Sequence, residues 1–268
     1  MISIELISRG EPYLKETLES IRKQNFSNYE VVCADSSGKR DIESLLDNYG
    51  CKTVILPEHT PFLAARYQSH LHSKGEFCLI LDSTRPLREN ALKILSEKYS
   101  IYDMTIIKEN SIGQGFWVEQ ARKLTEISIS EFKRLNGETL AFLLPRFYRR
   151  EVLDHAFNRI RKNFGDLFDK IGYGEHHLIF EEGRKVGKSL GLTDDWLINH
   201  FEDDSLIKIL KKYHRYGKSQ RVLKLIENTE TKYFSRHMRK NIEIRERIST
   251  SPISIARSLP FLIGYLLF

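Results

Sequence analysis

Cysteine is scarce in this chain of 268 residues: Cys33, Cys51 and Cys78 are the only three. Their odd number and lack of metal-ligand spacing exclude a disulfide framework and a cysteine-built zinc module. Cys33 and Cys78 lie inside apolar runs, as buried thiols of a reducing compartment do. Long hydrophobic runs are also missing. None reaches the ~20 residues that a membrane-spanning helix needs. The first residues carry no basic flank followed by an apolar core, so no secretory signal is expected. Internal repeats and low-complexity segments are absent, which argues against a solenoid.

What is present suits a real core. Hydrophobic residues make up 41% and charged residues 29%, with a formal net charge of +6. That surplus invites an anionic partner, and it is unevenly placed. Between Ser205 and Arg257, fourteen lysines and arginines face four acids, so this stretch exceeds the whole chain's surplus and the rest is slightly acidic. No named nucleic-acid motif occurs and aromatics are few in the basic region Lys208–Arg247, so no nucleic-acid partner is expected.

The run Phe77-Cys-Leu-Ile-Leu81 is continuously apolar and stops at Asp82. Such a run suits a strand of a parallel sheet, buried on both faces. Its terminal acid would sit at the strand's carboxyl end, where open α/β sheets bind ligands, or would cap the next helix. Ser83, Thr84 and Pro86 leave the strand as a turn. Tyr29–Ala34 repeats the pattern and ends at Asp35. Strands at 2–7, 29–34, 53–56, 77–81 and 103–108 alternate with helices at 12–23, 41–49, 61–72 and 89–99, which predicts βαβ units and a mostly parallel sheet.

Beyond residue 108 the pattern loosens. Ser111–Gly115 reads as a plain surface loop, with a hinge at Gly113 and Gly115 as the second reading, followed by a helix over 119–135. Phe142–Arg150 interleaves aromatic residues with arginines, and Arg146, Tyr148, Arg149 and Arg150 are candidates either for an acceptor wall that grips phosphate or for a strand with solvated arginines. Helices follow at 151–164 and 175–186, and a short apolar run at 196–199 ends on His200. From Ser205 a basic helix begins. Pro252–Phe268 is apolar, too short to span a bilayer and interrupted by Pro260 and Gly264. After so many cations it reads as an in-plane anchor on an anionic membrane surface.

In order, Glu11–Ile21, Tyr29–Gly38, Ala65-Arg66, Leu81-Asp82-Ser83-Thr84, Gly174-Glu175-His176, and His200 followed by Lys212–Gly217 resemble the inverting family 2 glycosyltransferases of the GT-A fold. The likeness covers most of residues 1–220. It implies an α/β fold of GT-A type: a mostly parallel nucleotide-binding sheet flanked by helices, with a basic helical C-terminal extension. The implied domains are a catalytic domain over 1–204, with a nucleotide-binding half (1–108) and an acceptor half (109–204), and an extension over 205–268. It implies a nucleotide-diphosphate sugar as donor and a lipid-linked or glycan acceptor. Glu11, Asp35, Arg66, Asp82 and Ser83 would hold the donor. Asp82, Thr84 and His200 would hold Mn²⁺ or Mg²⁺. Either Glu175 or His176 would be the base. A place on the cytoplasmic face of a membrane follows from the tail.

Three positions depart from the family pattern. Thr84 replaces the second acid of Asp-x-Asp, Tyr67 replaces the Asn after Ala-Arg, and His176 replaces the Asp after Glu. Thr84 weakens the expected metal site. Together the departures keep a catalytically inactive relative as the alternative to an enzyme, and a basic nucleic-acid-binding protein is the weaker alternative.

Overall fold

The computed structural model describes residues 1–134, 143–225 and 251–267. The chain forms two compact units. One comprises Met1–Asn110, Pro145–Lys170 and Leu178–His200. The other comprises Ser111–Leu144, Ile171–His177 and Phe201–Phe268. Phe142, Phe268 and the part of the basic region beyond residue 225 lie outside the described residues.

Unit one is built on β1 (Ile2–Ser8), β2 (Tyr29–Asp35), β3 (Lys52–Ile55), β4 (Phe77–Asp82), β5 (Met104–Ile112), β6 (Phe147–Arg149) and β7 (Leu190–Phe201). The strand order is β3-β2-β1-β4-β6-β5-β7. β1 lies parallel to both β2 and β4, and β2 lies parallel to β3. All seven residues of β1 are buried, as expected of a strand covered on both faces. Helix α1 (Leu14–Arg22) buries Leu14, Thr17, Leu18 and Ile21, one stripe at helical spacing. α2 (Arg40–Asn48) and α3 (Phe62–His72) complete the first crossovers. The helix after β4 is a short α4 (Ala91–Ile94) that widens into a π turn over Leu95–Tyr99.

The parallel pattern gives way at β6, which inserts antiparallel between β4 and β5. Phe147 stacks on Phe77 with ring centroids 5.3 Å apart, and Tyr148 is fully buried. The acceptor wall expected from Arg146–Arg150 is therefore not formed. Arg149 donates to the Ser100 carbonyl and Arg150 to the Gly75 carbonyl, at the amino end of β4. β5 extends to Ile112 and β7 runs for twelve residues, where the sequence suggested a strand ending at 108 and a run of four. Pairing in the sheet carries both past the apolar cores that signalled them. Helix α6 (Arg150–Phe164) packs Phe157 against Tyr67 at 5.5 Å, which gives the aromatic ring at position 67 a packing role. The three cysteines are free and buried.

Unit two contains α5 (Phe116–Arg134), the first turn of α7 (Glu175–Gly183), α8 (Leu206–Leu225) and α9 (Ser251–Leu267). α8 and α9 pack closely through two glycines. A Cβ on Gly217 would strike the Phe261 carbonyl, and one on Gly264 would strike the His214 carbonyl. Pro260 and Gly264 therefore do not interrupt this segment. α9 is one helix through both, and Gly264 is the contact that lets it approach α8. Ile253 at the start of α9 packs with Ala121 and Leu124 of α5. Among the described residues no helix is long and apolar enough to cross a membrane.

Candidate active site

The carboxyl ends of β1, β2 and β4 carry the first group of predicted residues. The register sets Ser8 beside Asp35 and Ile7 beside Asp82. The two acids thus flank β1 from adjacent strands, about 10 Å apart across two strand spacings. Glu11 lies on the loop after β1, the strand between them. Ser83 Oγ donates to Glu11 Oε2 at 2.5 Å, and the Arg9 N–H donates to the same oxygen at 2.9 Å. Thr17 of α1 donates to the Ser83 carbonyl at 2.8 Å, latching the turn after β4 to the first helix.

Asp35 is 1% exposed. Its Oδ2 accepts from Ser37 Oγ at 2.6 Å, while its Oδ1 is buried without a hydrogen-bond partner among the described residues. A buried carboxylate oxygen with no donor is costly, and an N–H or O–H of a bound nucleotide would satisfy it.

Asp82 sits within arginines. Its Oδ1 accepts from Arg66 of α3, and its Oδ2 from Arg85 in the turn after β4. Arg146 Nη1 lies 3.5 Å from the same Oδ2. Arg85 also donates through Nε to Glu109 Oε2 at 2.9 Å, and Arg146 Nε donates to Glu109 Oε1. Asp82, Arg85, Glu109 and Arg146 thereby close a ring of alternating charge, with Arg66 attached outside it. Burial alone would push the Glu109 carboxyl up. Arg146 first, then Arg85 and His200, outweigh it and hold Glu109 at about 2. His200, at the end of β7, has its Nδ1 3.9 Å from Glu109 Oε2.

This arrangement does not suit the expected cation. Both oxygens of Asp82 face guanidiniums, Thr84 offers only a neutral hydroxyl, and His200 stands beside Glu109, whose oxygens are held by the same arginines. A hard dication takes several oxygen ligands and avoids cationic neighbours. The described group of three donors whose ligand atoms lie within 4.8 Å of one another is a different one: Glu5, His70 and Cys78. There His70 Nδ1 lies 2.8 Å from Glu5 Oε1 and its Nε2 lies 2.9 Å from Asp154 Oδ1. Burial would lower the His70 pKa, but Glu5 raises it overall. The same pairing holds Glu5 below its ordinary value against the burial that would raise it.

In unit two, Glu175 is 5% exposed in the first turn of α7, where the helix dipole favours a carboxylate. His176 Nε2 lies 3.7 Å from Glu175 Oε1. Tyr173 and Tyr216 pack at 4.4 Å between ring centroids. Burial foremost pushes the Tyr216 pKa up. Lys212, whose Nζ lies 3.1 Å from Asp203 Oδ2, is raised because Tyr216 and Asp203 outweigh its burial.

The structure thus joins Glu11 to Ser83 and Arg66 to Asp82, and sets Asp35 beside Ser8 at the end of the neighbouring strand. Sequence reasoning missed Glu109 and Arg85 and gave Arg146 another task. Glu109 did carry the signal seen at Asp35 and Asp82, an acid after an apolar β-branched run, but one lysine separates it from Met104–Ile107. Arg146 had no such cue, since its partners lie on other strands, and Arg85 has Asp82 near it in the chain but its second partner, Glu109, on β5.

A mostly parallel sheet with acids at its carboxyl edge and an antiparallel strand inserted beside β4 defines an open α/β domain of the class that binds ligands at that edge. The sequence profile of Glycosyl transferase family 2 matches residues 6–157, and the chain belongs to that family. Glycosyltransferase GlyG of Streptococcus pneumoniae serotype 4 is 24% identical over 176 residues, which cover 59% of this chain and 58% of that protein. This chain therefore spans little more than half the length of that relative. S. aureus TarS, residues 1–349 in complex with UDP, superposes with a TM-score of 0.59 at 19% identity, covering 100% of this chain and 72% of that one. The mannosyltransferase PcManGT from Pyrobaculum calidifontis, in complex with GDP-Man and Mn²⁺, gives 0.53 at 13% identity, covering 98% and 71%. At these identities the structures report the GT-A type fold.

Proposed function

We propose that this chain is an inverting glycosyltransferase that moves a sugar from a nucleotide-diphosphate sugar to a lipid-linked or surface-glycan acceptor. The observation that carries the reading is Asp35: a buried acid at a strand's carboxyl end, one oxygen lacking a donor among the described residues, with the Glu11–Ser83 pair following the nearby strands β1 and β4. These groups suit the N–H and hydroxyl groups of a nucleoside. Family membership and relatives solved with UDP and with GDP-Man support the donor class.

In the reaction Glu175 or His176 takes the acceptor hydroxyl's proton. The acceptor oxygen then attacks the sugar's anomeric carbon from the face opposite the nucleotide, and the carbon–phosphate-oxygen bond breaks with its electrons leaving on the diphosphate. An imidazole is a common general base at neutral pH, and His176 offers one.

A peripheral place on the cytoplasmic face of a membrane fits α9. Ile255, Leu259, Leu262, Ile263 and Leu266 are exposed on it at helical spacing. Lys208, Lys211 and Arg215 of α8 are in the same unit, and such a pairing of apolar face and cations suits an anionic interface.

The test is turnover of a panel of nucleotide-diphosphate sugars by the purified chain. Asp35→Ala is expected to abolish turnover while the circular dichroism spectrum stays that of the parent. Full turnover in that variant would refute the assignment.

A further inference from the structure

We propose that the positive charge meeting the donor's diphosphate is supplied by Arg85, Arg146 and Arg66, and that this chain transfers sugar without a divalent metal. The inference rests on the nucleotide-sugar reading of the same site and goes beyond it.

Two independent features lead here. The first is the sequence of the turn after β4: Asp82-Ser83-Thr84-Arg85 has a hydroxyl and then a guanidinium where further acids would have built a cation site. The second is the closed ring of Asp82, Arg85, Glu109 and Arg146. Each acid in it receives both arginines, and Arg66 adds a third guanidinium at Asp82 Oδ1. Among the described residues of this group, three guanidiniums converge on two carboxylates at the end of β4.

The chemistry fits. When the anomeric carbon–oxygen bond breaks, the electron pair and a full negative charge pass to the terminal phosphate oxygen. A guanidinium offers N–H donors in a planar fork that matches phosphate oxygens, and its charge persists at any working pH. Donors already fixed in position need no reorganisation as that charge develops. Arg85 is fixed in this way by a carboxylate at each end: Asp82 on its own strand and Glu109 on β5. Its place in the turn, where its own N–H bonds the Asp82 carbonyl at 3.1 Å, sets it at the carboxyl edge beside Ser83 and Glu11.

The experiment uses the full chain, with donor turnover read as released nucleoside diphosphate and with calorimetry of UDP and GDP against their monophosphates, all in excess EDTA. Turnover is expected to continue unchanged in EDTA and to gain nothing from added Mn²⁺. The diphosphate is expected to bind at least ~10-fold more tightly than the monophosphate without metal. Arg85→Gln should lower kcat by about 100-fold and erase the diphosphate preference, with no rescue by Mn²⁺. Thr84→Asp combined with Arg85→Asp should make whatever turnover remains depend on Mn²⁺. An EDTA-treated parent that is inactive and restored by Mn²⁺, or one that binds diphosphate only with Mn²⁺, overturns the proposal and leaves the glycosyltransferase reading intact. Failure to bind any nucleoside diphosphate, with or without metal, overturns both.

Discussion

Glu109 is the residue whose replacement reports most directly on the charge ring. In Glu109→Gln the side chain keeps its shape and loses its charge, while Arg85 and Arg146 stay in place. The carboxyl is held at about 2 against an ordinary 4.5. At ~1.36 kcal/mol per pKa unit, that difference is on the order of 3 kcal/mol of stability at pH 7. The sign follows from the depressed pKa: the contribution is complete above pH 4.5, shrinks as pH falls, and is gone below pH 2. At pH 3 about half of it, roughly 1.5 kcal/mol, remains. The assay is urea unfolding of parent and variant at pH 7, 5 and 3, compared as a difference so that other acids cancel. The variant should be markedly weaker at pH 7, and the gap should narrow by about half at pH 3. A variant as stable as the parent at pH 7, or a gap that does not move with pH, would show that the arginines do not depend on this carboxylate.

Two further outcomes follow from other parts of the chain. Glu5, lowered from 4.5, stabilises above that value and loses its contribution as pH falls; His70, raised from 6.5, stabilises below that value and loses its contribution as pH rises. The stability deficit of His70→Gln should therefore be larger at pH 5.5 than at pH 9 in urea titrations, and a deficit that grows with pH would contradict the pairing. Gly217→Ala should separate α8 from α9 and cost roughly 1–3 kcal/mol. Its thermal midpoint checks this, since the added Cβ lands on the Phe261 carbonyl. A midpoint equal to the parent's would mean that the two helices do not pack this closely.

Much of the sheet's first half was legible in the residues because its signals are local. An apolar run ending in an acid marks a buried strand and its exit, and Phe77–Asp82 and Tyr29–Asp35 both behave that way. The stripe Leu14, Leu18 and Ile21 marks α1 in the same manner. Strand β6 stood only as one of two readings of Arg146–Arg150, because three residues carry no periodicity and their burial comes from neighbours far away in the chain. Pro260 and Gly264 read locally as breaks. Their true role depends on α8, since a glycine between helices is read correctly only with the partner in view.

The sequence by itself determined the class of fold, the family, and the acids at 11, 35 and 82, since each follows from residues adjacent along the chain. Tertiary structure alone decided what surrounds those acids. Arg85 lies three residues from Asp82, but Arg66 on α3, Glu109 on β5 and Arg146 beside β6 are far from it in the chain, and only the packed fold gathers them around it. Charge acts through distance in space, so a site's electrostatics become readable only once the sheet is assembled.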